Sequence, residues 1–143
     1  MNLFRPQLLN RRIGAGLALA GLALLCNTPV NAHHAFAAEF DGDQPVELKG
    51  QVTKITWVNP HSWLYVDVKD AKGQVTNWGF EFGAPFSLQQ KGLSKSSLPP
   101  GTEVAIKGFR SKNGKPFAYA SVVTLGDGRT FQTGGAPDVP AVP

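Results

Sequence analysis

Cysteine is almost absent. The 143 residues hold one, Cys26, and it sits in the N-terminal stretch ahead of residue 33. Without that stretch the chain has no disulfide, no thiolate metal site and no cysteine nucleophile, so a core alone must stabilise it in an oxidising compartment. A charge excess is also scarce. The formal charge is +4, from 14 basic and 10 acidic residues, but Arg5, Arg11 and Arg12 precede residue 33 and every acid follows it. Eleven cations then face ten anions, a net +1. They are scattered, which excludes the clustered basic face of a nucleic-acid binder. Long apolar runs are missing too: Ile13 to Leu25 falls short of the roughly 20 residues a membrane-spanning helix needs. No paired-carboxylate site, glycine-rich phosphate loop or metalloprotease helix is visible.

The N-terminus has the layout of a secretory signal. Arg5, Arg11 and Arg12 form the positive region, Ile13–Leu25 the apolar run, and Cys26-Asn27-Thr28-Pro29 a polar lead to Val30-Asn31-Ala32. Val30 and Ala32 suit the −3 and −1 positions of signal peptidase. Residues 1–32 are therefore expected to be a signal peptide. The expected location is periplasmic or secreted, with no stable membrane anchor after processing. Arg11-Arg12 hints at a twin-arginine route, but its flanks fit poorly and general secretion is favoured. Leu25 is too bulky for lipoprotein processing at Cys26. A retained membrane anchor is one alternative. A cut after Ala37, in Ala35-Phe36-Ala37, is another, and it would discard His33 and His34.

The remaining residues, about 110, suffice for one domain. An arm over 33–45 leads to alternation in Val46, Leu48, Gly50 and Val52 against Glu47, Lys49, Gln51 and Thr53, the period of a half-buried strand. The phase shifts near Lys54, which predicts a bulge, and Gly50 permits close approach of another strand. Asn59-Pro60 interrupts the ladder. Further strands are expected over 62–69, 74–82, 102–110 and 117–125, with a short sixth over 129–131 and a short helix over 85–92. Asn113-Gly114 marks a hairpin turn. Three strands, a helix and two strands is the order of an OB-like fold, so the expected class is all-β: a small five- to six-stranded Greek-key barrel over 46–132. A β-sandwich is the second choice. The Gly/Pro-rich residues 133–143 are expected to form a disordered tail.

At this point the chain resembles a group of small, exported bacterial proteins of unknown function. Its members pair a signal ending before His-His with a V-N-P-H-S/A-W segment. The matching stretches here are Ala32-His33-His34-Ala35-Phe36 and Trp57-Val58-Asn59-Pro60-His61-Ser62-Trp63. Asn77-Trp78-Gly79-Phe80-Glu81 and Pro100-Gly101-Thr102-Glu103-Val104 fit as well. The resemblance implies an exported location and supplies no activity.

Three histidines survive processing before His33. An N-terminal histidine offers its amine and ring nitrogen together, and a second imidazole completes a set of three nitrogens that favours Cu(II). His33 and His61 are the candidate ligands, with His34 an alternative or additional one. Glu81 and Asp67 are candidate acceptors for an imidazole N–H. Against this, a His-His pair after a signal is often a solvated terminus, and a histidine after Asn-Pro can simply bond the turn. The aromatics Trp57, Trp63, Tyr65, Trp78, Phe80 and Phe82 form a second set. Trp78, Phe80 and Phe82 read as core, whereas Trp63 and Tyr65 share the opposite parity from Leu64 and Val66 and are the exposed pair for stacking a ligand. Ser62 beside His61 is no nucleophile pair, because neighbours on a strand point to opposite faces. The expectation is a small exported binding protein. Its ligand is copper through His33 and His61, or else a small molecule or another exported protein through Trp63 and Tyr65 with no metal. An enzyme ranks third.

Overall fold

The alternating segments are strands. The computed structural model describes residues 35–136 and 139–143. Helix α1 (Ala35–Glu39) is followed by β1 (Phe40–Thr56), β2 (Trp63–Lys69), β3 (Val75–Glu81), α2 (Pro85–Gln90) and a 3-10 turn over Lys95–Ser97. Strands β4 (Glu103–Ser111), β5 (Phe117–Leu125) and β6 (Thr130–Gln132) complete the order. Among the described residues, no helix is long and apolar enough to cross a membrane.

One sheet carries all six strands, in the order β3-β2-β1-β4-β5-β6. Parallel pairing of Gly79, Phe80 and Glu81 on β3 with Phe117, Ala118 and Tyr119 on β5 bends it into a ring. This is the expected all-β, OB-like barrel. Ring closure works because β1 serves two neighbours. Pro45 to Gln51 pair with β4, and Gly50 to Thr56 pair with β2. Gly50 lies in both ladders, opposite Val68 and Val104. A Cβ there would stand 2.1 Å from the Asp67 carbonyl oxygen, so only glycine fits. The register of β1 on β2 slips between Val52 and Lys54, at the expected bulge.

The inward set of the alternation fills the barrel. Leu64, Val66, Phe80, Phe82, Val104, Ile106 and Val123 are buried. The α2 segment adds Leu88, Leu93 and Leu98, each 0% exposed. Burying each such side chain stabilises the fold by about 1.5–3 kcal/mol. Pro85 opens α2 with its φ already helical, and Gly92 at φ 84° stops the chain just beyond it.

Two expectations differ from the structure. First, β1 starts at Phe40, not Val46. Phe40 pairs with Ser111, and an irregular register leads to Pro45 opposite Phe109. Asp41, Gly42, Asp43 and Pro45 break the alternation and hide this half of the strand from a period-two reading. Second, the tail expected to be disordered lies against the barrel. Ala136, Val139 and Val142 pack on a second cluster formed by Phe36, Phe40, Phe109 and Tyr119. The Tyr119 hydroxyl accepts the N–H groups of Gly135 (2.8 Å) and Ala136 (3.0 Å), and the Lys107 ammonium donates to the Pro143 carbonyl at 2.8 Å. Composition predicts flexibility from Gly and Pro, but a few apolar residues meeting an aromatic patch suffice to hold the segment.

This second cluster sits on the outer face of the barrel and pins α1. The Phe36 ring stacks on Phe40 at 5.8 Å and meets Phe109 and Tyr119 edge-on at 5.6 and 5.2 Å. The Glu39 carbonyl accepts the Lys112 backbone N–H at 2.9 Å.

Gly50→Ala tests the dual pairing. The added methyl must push two backbones apart, so we expect a loss of about 3 kcal/mol or more, as strong overpacking gives. Chemical denaturation monitored by tryptophan fluorescence measures it. An unchanged midpoint would mean that β2 does not approach β1 at this point.

Candidate functional site

Register places the site. Trp63 on β2 is opposite Glu81 on β3. Past these strand ends the ladder continues: Ser62 N–H donates to the Gly83 carbonyl (3.2 Å), and Phe82 N–H donates to the Ser62 carbonyl (2.8 Å). His61 is thus held two residues before Trp63 and shares its outer face, diagonal to Glu81. The Asn59–Pro60 peptide just before it is cis.

The pair that results is close. His61 Nδ1 donates to Glu81 Oε1 at 2.6 Å. The imidazole is 46% exposed, whereas the Glu81 side chain is 8% exposed. With its Nδ1 proton committed to the carboxylate, a neutral His61 carries its lone pair on Nε2. A buried carboxylate that orients an imidazole in this way is the usual support behind a metal-binding or proton-accepting histidine. Burial pushes the Glu81 carboxyl above its ordinary value. The facing His61 opposes that shift, and the negative charge of Glu39 adds to it.

His61 and Glu81 line a cavity of about 500 Å³. Helix α1 and the start of β1 contribute Phe36, Glu39 and Phe40 to its wall, β2 contributes Trp63, and β5 contributes Tyr119. Gly135 and Ala136 of the tail also line it. Both ends of the described chain therefore close over one patch of the barrel exterior, which is why Glu81 is buried although it lies outside the barrel.

The two aromatics expected to act as a pair separate. Trp63 lines the cavity, and its ring lies 4.9 Å from that of Phe117. Phe117 covers Gly79, where a Cβ would come within 2.3 Å of the Phe117 ring. Tyr65 is half-buried like Trp63, but it stands under the Lys54 ammonium, 5.5 Å from the ring centroid, and is not among the cavity residues. Trp78, Phe80 and Phe82 are buried, as core residues should be. Of the two candidate acceptors, Glu81 accepts the hydrogen bond from His61 Nδ1. Asp67 instead accepts from Asn77 Nδ2 at 2.7 Å, and that amide also donates to Thr53 Oγ1 at 3.0 Å. Ser62 is 0% exposed, and its hydroxyl makes no hydrogen bond among the described residues. It is therefore no nucleophile for His61.

His33 and His34 lie outside the described residues. Among the described residues, no group of three or more His, Cys, Asp or Glu side chains is arranged to hold a metal ion. Cavity residues that the sequence did not flag include Phe36, Glu39, Phe40 and Tyr119. Their role depends on which segments fold over the outer face, and strand periodicity carries no signal for that.

A family model described as a family of unknown function (DUF6152) matches residues 22–119. The matched span contains His33, His34, His61, Trp63 and Glu81 and stops within β5. No curated protein and no solved structure matches the chain.

Glu81 gives the fold a pH signature. The native state holds this proton more tightly than the unfolded chain does. Its contribution to stability therefore falls as pH rises from the ordinary value of 4.5 through the raised native one, and is constant above that. Glu81→Gln keeps an acceptor for His61 but cannot ionise. The stability of the wild type relative to the Gln variant should decline over this window in urea titrations at stepped pH. A difference that is flat or rises with pH would contradict the burial effect.

Proposed function

The chain belongs to the DUF6152 family of unknown function, and on the geometry of its site we propose that it is an exported binding protein that captures Cu(II). The ligands in this reading are the amine and ring of His33 at the processed N-terminus together with Nε2 of His61, with His34 as an additional donor. One observation carries it: the 2.6 Å hydrogen bond from His61 Nδ1 to buried Glu81, in a cavity whose wall includes Phe36. The carboxylate fixes the tautomer that leaves Nε2 free to bind a metal. Phe36 follows His33 by three residues, a backbone reach of at most about 11 Å. Phe36 shares the cavity wall with His61, which supports a terminal histidine within that reach of the site. Imidazole and amine nitrogens in a tetragonal set select Cu(II) among divalent first-row ions.

Phe36 also bears on processing. It is 5% exposed and touches three aromatic rings. A cut after Ala37 would remove it, and removing a buried phenylalanine side chain costs about 3–5 kcal/mol. This supports cleavage before Phe36, and with it the cut after Ala32.

The test is a copper titration of protein that begins at His33, with intact mass confirming the first residue. His61→Ala should weaken Cu(II) at least tenfold, and so should one extra residue ahead of His33. Glu81→Gln should give a smaller loss, because the imidazole is retained but less firmly oriented. Affinity unchanged by His61→Ala would remove His61 from the site and end this reading.

A further inference from the structure

A bare ion needs only a small part of the cavity beside His61. Its volume, about 500 Å³, is within the range of small-molecule sites, roughly 300–1,000 Å³. The walls are largely apolar and aromatic: Phe36, Phe40, Trp63, Phe82 and Tyr119. The His, Asp, Glu, Lys and Arg side chains among the described lining residues are His61, Glu39 and Glu81. An anionic head group would meet two carboxylates there. A neutral apolar molecule would gain nothing from them, leaving Glu81 to His61 and Glu39 to solvent.

From this combination we propose that the cavity binds a small organic cation, a protonated amine on an apolar body, with the ammonium directed to the Glu39–Glu81 side and the body against Trp63. An ammonium can donate to carboxylate oxygens, and these charge-assisted bonds are stronger than neutral ones. A cation near the indole face gains a further attraction, which grows as water is excluded. Trp63 is suited to this because its ring is braced by Phe117 at 4.9 Å and need not be ordered on binding.

The site goes beyond copper and does not rest on it, since the metal-free protein already has these walls and carboxylates. The probe is phenethylammonium, compared by calorimetry with phenethyl alcohol and 3-phenylpropionate on copper-free protein at neutral pH. The ammonium should bind at least tenfold more tightly than the alcohol, and the carboxylate should bind most weakly. Glu39→Gln, an exposed change on α1, should reduce the preference for ammonium over alcohol severalfold. Trp63→Phe, which keeps an aromatic wall but weakens the cation attraction, should reduce ammonium affinity more than alcohol affinity. Absence of saturable ammonium binding at millimolar concentration overturns the proposal, and so does equal affinity for the three probes or a preference unaffected by Glu39→Gln. Copper binding is tested through His61 and the amine site through Glu39, so either can fail with the other intact.

Discussion

Trp63 opposite Glu81 is the register on which both the core and the site depend. A strand alternates its faces, so pairing these residues sends Leu64, Val66, Phe80 and Phe82 inward and leaves His61, Trp63 and Glu81 outside. A slip of one residue would reverse this on β3, bury the carboxylate in the barrel and expose two phenylalanines. The apolar cost of that slip is several kcal/mol at about 1.5–3 kcal/mol per buried side chain. The position of this carboxylate is thus held mainly by the hydrophobic residues on either side of it. The exchange of backbone hydrogen bonds by Ser62 with Phe82 and Gly83 extends the same ladder far enough to bring His61 to Glu81.

The barrel alone would leave that pair in water. The second aromatic cluster changes its surroundings. Phe36 and Phe40 lie on one side of the chain and Ala136 and Val139 on the other, and all meet around Tyr119 and Phe109. Tyr119 joins two elements, because its ring contacts Phe36 while its hydroxyl accepts two backbone N–H groups from the tail. Covering the outer face in this way turns a surface His–Glu contact into a half-enclosed one, with Glu81 buried and His61 still reachable. The exchange of solvent for protein strengthens electrostatic interactions within the cavity and raises the cost of ionising Glu81.

Most of the barrel can be read from the chain because its signals are local. Strand alternation, Asn113-Gly114 and Pro85 followed by Gly92 each act over a few residues, and each element appears where those signals place it. The bulge next to Lys54 is legible for the same reason, as a change of parity. The start of β1 is not, because Asp41, Gly42 and Pro45 obscure a strand held by pairing with distant β4. The site divides along the same line. The outward parity of Trp63 and Tyr65 follows from sequence. The separation of the two, one facing the cavity and one under Lys54, depends on α1, the tail and Phe117, all remote in sequence. Glu81 was identifiable as an acceptor for an imidazole only by type. Its selection over Asp67 is decided by the β2–β3 register, which puts Asp67 opposite Asn77 and Glu81 within reach of His61.

The burial of Glu81 is itself an argument that the pair serves a ligand. A carboxylate pushed above its ordinary value by desolvation destabilises the native state at neutral pH. Its hydrogen bond to a half-exposed imidazole offsets part of that cost, but an apolar residue at position 81 could pack against Phe36 and Tyr119 at no such cost. The barrel closes through backbone pairing of Glu81 with Tyr119, which needs no carboxylate. The adjacent Ser62 hydroxyl is no partner of the pair, being buried and without a hydrogen bond among the described residues. What the carboxylate does provide is an oriented imidazole with Nε2 free and a negative wall beside an aromatic one. Neither feature is required by the fold that holds it.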